Sequence, residues 1–231
     1  MARGRLTAAT ARPVRDLALL PGAAWFHLLT AVVTTAALLL QVVLTSTAGG
    51  SALPVRWLRL LGYFTVESNV LVAAAAWALW RRPNRGARIL FRVVRLAGLV
   101  GITVTGLVYL VVLRPVVDLE GWWAVADALL HYVVPVLAVV GWVVYGPRRR
   151  ADRRVALLVL VWPVAWFGWV LLQGAVSGFY PYPFVDVGDL GLGRVLGNAA
   201  LVLALLLAVS AGYLWVDGRL DAWRRRPRWV S

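Results

Sequence analysis

Asp127 and His131 stand four residues apart inside an apolar run, and His131 is one of only two histidines in the chain. On a helix that spacing places the two side chains one above the other on the same face. A carboxylate beside an imidazole can fix its tautomer and stabilise its charged form, which is what a general base requires. A hydroxyl that such a base can activate is offered by Thr65, in the segment Tyr63-Phe64-Thr65-Val66-Glu67-Ser68-Asn69. Thr65, Asp127 and His131 are therefore the candidate nucleophile, orienting acid and base. The plain structural reading stands beside this one: polar side chains at i, i+4 satisfy each other, and polar groups in apolar helices hydrogen-bond across helix pairs. An ionisable pair within a hydrophobic span nevertheless marks a functional site by default.

The elements that carry these residues are hydrophobic helices. The chain is 61% hydrophobic and 15% charged, against about half and a quarter for soluble domains. Six runs can cross a bilayer, at 23–47, 57–80, 93–113, 122–145, 155–176 and 195–216, each of about 20 residues or slightly more. The expected fold is all-α and polytopic, with six transmembrane helices. Residues 1–22 form an N-terminal segment, 23–216 the membrane domain and 217–231 a basic tail.

The net charge of +14 comes wholly from arginine. Twenty of the 24 basic residues fall in four clusters, before span one, around the second and fourth connections and in the tail. The positive-inside rule then puts both termini in the cytoplasm, and the charge needs no nucleic acid to explain it. All-arginine usage points to a GC-rich bacterial gene, hence to the cytoplasmic membrane. Cysteine is absent, which excludes disulfides and thiolate chemistry, and two distant histidines make no metal-ligand set. No cofactor is implied. The N-terminal apolar run lacks a nearby A-x-A site and is expected to remain as the first helix.

Depth can be judged from the flanking indoles. Thr65 lies eight residues beyond Trp57 and His131 eight beyond Trp123, each ~12 Å along its helix. Both helices enter from the outer face, so the two residues should meet. Gln41, Gln173, Asn198 and Tyr109 lie in the outer halves of their spans and are expected to converge on the same cavity. Ser68, Asn69 and Tyr182 are candidates to bind substrate or the developing oxyanion. Glu67 should face another neighbour, with Arg95 or Arg59 as possible partners, and His27 should lie near an interface.

Three motifs carry a family resemblance: Tyr63-Phe64-Thr65 with Ser68-Asn69, His131-Tyr132-Val133-Val134-Pro135, and Tyr180-Pro181-Tyr182-Pro183-Phe184-Val185-Asp186. With the six-span layout they resemble the bacterial Pr-six-Pr membrane proteins. More remotely the chain is similar to the androgen-induced membrane hydrolases, which cleave fatty acid esters of hydroxy fatty acids with an intramembrane threonine and histidine. The resemblance implies those roles for Thr65 and His131 and a lipid or fatty-acyl substrate among membrane lipids. The competing expectation is a non-enzymatic protein, a small transporter or lipid-binding subunit using the same outer cavity. Against a transporter, the inner halves of spans two and four are uniformly apolar.

Overall fold

The computed structural model describes residues 20–82, 88–147 and 152–225. Among them there is no strand. Five helices are long and apolar enough to cross a membrane, or six if one sharply bent pair counts as a single span, compatible with a multi-pass integral membrane protein.

Helix α1 (Ala23–Thr47) packs on α3 (Phe64–Arg81), and α3 packs on α4 (Ile89–Val108). Small residues permit these approaches. Ala31 and Ala37 of α1 are fully buried, and a Cβ on Gly98 of α4 would come within 3.1 Å of the backbone of Leu71 and Val72. Close backbone packing of this kind takes the place of a hydrophobic driving force between apolar helices. Helix α4 is the core element, for two-thirds of its most apolar window is buried, against 17–28% in the other four long spans.

Around α4 lie the remaining elements. The fourth span is continuous from Gly121 to Tyr145 but changes pitch: α5 (Gly121–Ala128), a π-helical turn (Leu129–Val133) and α6 (Val134–Tyr145). Helix α4 likewise ends in a π-helical turn, Tyr109–Leu113. Then come α7 (Arg153–Val159), α8 (Val161–Ser177), the four-residue α9 (Val187–Leu190) and α10 (Leu192–Arg225). Helix α10 runs well past 216, into the segment expected to be a separate tail.

The second span differs most from expectation. It is not one straight helix but α2 (Leu53–Leu61) followed by α3, bent by 72°. Tyr63 is extended (φ −80°, ψ 118°) and ends the first segment. The bend is held from α8, where the Trp166 indole donates to the Gly62 carbonyl at 2.9 Å. A Cβ on Gly62 would lie 2.7 Å from Gln173 Oε1 and 3.1 Å from the Arg59 carbonyl, so a side chain here would have to displace the Gln173 amide. Thr65 consequently sits in the first turn of a helix, and its depth cannot be measured along an axis from Trp57.

Candidate functional site

Thr65 Oγ1 lies 3.1 Å from His131 Nε2. On the other side of the ring, His131 Nδ1 lies 3.0 Å from Asp127 Oδ1 and 3.1 Å from the Asp127 carbonyl. Both of those oxygens accept only, so Nδ1 carries the proton and Nε2 is left as the acceptor. The Thr65 hydroxyl then donates to Nε2. Donor and acceptor roles thus run in one direction from hydroxyl to carboxylate, as nucleophilic activation requires.

Two pitch changes aim this chain. His131 lies in the π turn of the fourth span and Tyr109 opens the π turn of α4. The Tyr109 ring stacks on the imidazole with centroids 4.0 Å apart and planes 16° from parallel. Its hydroxyl donates to Asp127 Oδ2. Asp127 is therefore held by two donors on separate oxygens, and the imidazole is fixed by a ring on its face. The sequence indicates Tyr109 only by its depth; nothing in its spacing identifies Asp127 as its partner.

Thr65 is fixed from the other side by the loop before α9. The Thr65 amide donates to the Tyr182 phenol oxygen at 3.2 Å, and the phenol lies 3.3 Å from Thr65 Oγ1. The first amides of a helix lack partners of their own, and here a distant tyrosine supplies one. Burial pushes the Tyr182 phenol up to about 12, partly offset by its contacts with Thr65. It keeps its proton at neutral pH, and that proton is available for donation.

The other expected site residues go elsewhere. Asn69 donates to the carbonyls of Thr65 (2.8 Å) and Leu130 (3.4 Å), tying α3 to the π turn. Ser68 Oγ accepts from Thr105 of α4. Gln173 donates to the Leu58 carbonyl, Asn198 to that of Phe184 at 2.8 Å, and Gln41 to Thr45 on its own helix. These five brace the helices and loops and do not converge with Thr65 on one cavity. Glu67 pairs with neither Arg95 nor Arg59; it accepts from the Trp162 indole at 2.5 Å. His27 is buried against Tyr145.

Thr65 instead borders an apolar cavity of about 340 Å³ between α8 and α10, with α4 beneath it. Phe64, Thr65 and Tyr182 line it together with Pro163 of α8 and Leu206 of α10. Val164 and Leu203 line it and are exposed on the flank of the bundle, so it opens sideways. Its size is at the lower bound of ordinary small-molecule sites. Thr65, Thr105 and Tyr182 are the polar residues in its wall. No group of three or more His, Cys, Asp or Glu side chains capable of holding a metal occurs among the described residues.

In comparisons with known proteins, no family model, curated protein or solved structure matches this chain.

Proposed function

We propose that the protein is an intramembrane threonine hydrolase of lipid or fatty-acyl esters. The observation that carries this reading is the 3.1 Å contact of Thr65 Oγ1 with His131 Nε2, backed by Asp127 at 3.0 Å. The acyl chain lies in the cleft between α8 and α10, entering sideways from the bilayer. Its ester carbonyl is presented to Thr65 at the cleft's end. As Thr65 Oγ1 attacks the carbonyl carbon, His131 Nε2 takes the hydroxyl proton and Asp127 stabilises the imidazolium. The Tyr182 hydroxyl donates to the oxyanion, at the positive end of the α3 dipole. Collapse breaks the ester C–O bond, and the departing alkoxide takes the proton from His131. Water, deprotonated by the same imidazole, then releases the carboxylic acid and restores Thr65.

In this reading the protein belongs with the Pr-six-Pr proteins in the bacterial cytoplasmic membrane, and both termini are cytoplasmic. The site then lies beneath the outer surface. Membranes carrying the protein, treated with a fluorophosphonate probe, give the direct test. Wild type should be labelled, Thr65→Ala should not, and His131→Gln should label far more slowly. Equal labelling of wild type and Thr65→Ala excludes this nucleophile.

A further inference from the structure

Helix α2 wears its polarity inside out for a helix at a membrane surface. Leu53, Val55, Trp57, Leu58 and Leu61 are exposed. Its two arginines, three apart and so on neighbouring positions of one face, turn guanidinium nitrogens inward. Arg56 Nε and Nη1 and Arg59 Nε are buried without a hydrogen-bond partner among the described residues. Arg59 has partial compensation, since Nη1 reaches Ser51 Oγ at 3.3 Å and the guanidinium lies 4.8 Å above the Phe179 ring. Neither arginine has a carboxylate within ion-pair distance among the described residues. Glu67 accepts from Trp162 and Asp186 from the first amides of α9. Buried charged donors without acceptors are rare in native proteins and call for a missing partner.

The place of this pair narrows what that partner is. Phe179, beneath Arg59, meets Tyr63 at 6.2 Å, and Tyr63 meets Tyr182 at 5.7 Å. An aromatic ledge therefore runs from Arg59 to Tyr182, the residue that contacts Thr65. With its apolar residues exposed and the Trp57 indole hydrogen-bonded to Ser46, α2 suits the depth at which lipid headgroups meet acyl chains. Two guanidinium forks on one face match the several oxygens of one anion.

We propose that Arg56 and Arg59 form a binding site for the anionic headgroup oxygens, phosphate or carboxylate, of an amphiphile held against the Tyr63–Phe179 ledge. The site does not depend on Thr65 being a nucleophile. The full-length protein in neutral detergent would be offered phosphatidylglycerol, palmitate and uncharged diacylglycerol, with retention read by native mass spectrometry. Wild type and Thr65→Ala should retain at least one of the anionic amphiphiles roughly tenfold over diacylglycerol. Retention of phosphatidylglycerol alone assigns the anion as phosphate, and of palmitate alone as carboxylate. The Arg56→Gln/Arg59→Gln variant should fall to the diacylglycerol level, while Arg194→Gln, an exposed arginine at the start of α10, should match wild type. Should the double glutamine variant not fold, Arg56→Lys/Arg59→Lys keeps the charge without the forks and should lose retention several-fold. Wild-type retention by the arginine variants, or no preference for anions in wild type, overturns the site.

Discussion

Arg95 is buried at the end of the bundle where α4 begins, and its guanidinium donates to the backbone carbonyls of Gly146 and Pro147. At the opposite end, Asp127, His131, Thr65 and Tyr182 are linked side chain to side chain. Around Arg95 the spaces measure only about 40 and 20 Å³, whereas Thr65 opens onto about 340 Å³. One cluster ties charge to main chain and closes the interior. The other strings titratable groups toward a hollow wide enough for a ligand. Buried polarity in this molecule thus has two forms, a clamp and a relay, and the presence of adjoining space separates them.

The contrast can be broken by substitution. The largest expected effect is on the relay. Under the proposed hydrolysis, Asp127→Asn should lower turnover of a fatty-acyl ester by on the order of 10³–10⁴, with the elution profile of the purified protein unchanged. Next, Ala200→Phe fills the cleft where Ala200 lines it. Hydrolysis of long-chain esters should fall about 10–100-fold, while a short acetyl ester is spared; equal loss on both would separate the cleft from the acyl chain. On the clamp side, Arg95→Met should destabilise the fold by roughly 1–3 kcal/mol, because two buried carbonyls lose their donor. Turnover per folded molecule should stay within about twofold, since no reacting group is touched. A large loss of turnover there would show that the two ends are coupled.

The smallest effect concerns pH. The folded Tyr182 phenol is raised from 10.0 to about 12, so its contribution to stability is present in full below pH 10. It is lost as pH rises through 12, where the unfolded chain gives up this proton more readily. Melting temperatures in detergent should therefore fall more steeply between those values for wild type than for Tyr182→Phe.

The contacts among Thr65, His131 and Asp127 are largely legible in the sequence. Asp127 and His131 are joined by helical spacing, and Thr65 was placed beside them by depth and by the aromatic motif around it. Thr65 does meet His131, but not by descending a single helix from Trp57. Trp57 belongs to a different helix from Thr65, and the 72° corner between them is signalled in the sequence by Gly62 alone. The amides of Gln41, Gln173 and Asn198 were misjudged for a common reason. Each lies at a suitable depth, but depth leaves rotation about the helix axis open. Gln41 donates to its own helix, and Gln173 and Asn198 donate to the backbone carbonyls of Leu58 and Phe184. The cleft itself was invisible, because it is made where α8 and α10 part, and ordinary apolar residues line it.

The two π turns, Tyr109–Leu113 and Leu129–Val133, meet at the Tyr109–His131 stack, each holding one of its rings. A π turn arises when one extra residue is accommodated within an α-helix, widening that turn while the flanking segments stay α-helical. Loss of a single codon from either turn would return it to α-helical pitch and displace its ring relative to the other, while leaving the span long enough and apolar enough to insert. A single-residue deletion in either turn is therefore expected to break the stack without altering the number of spans.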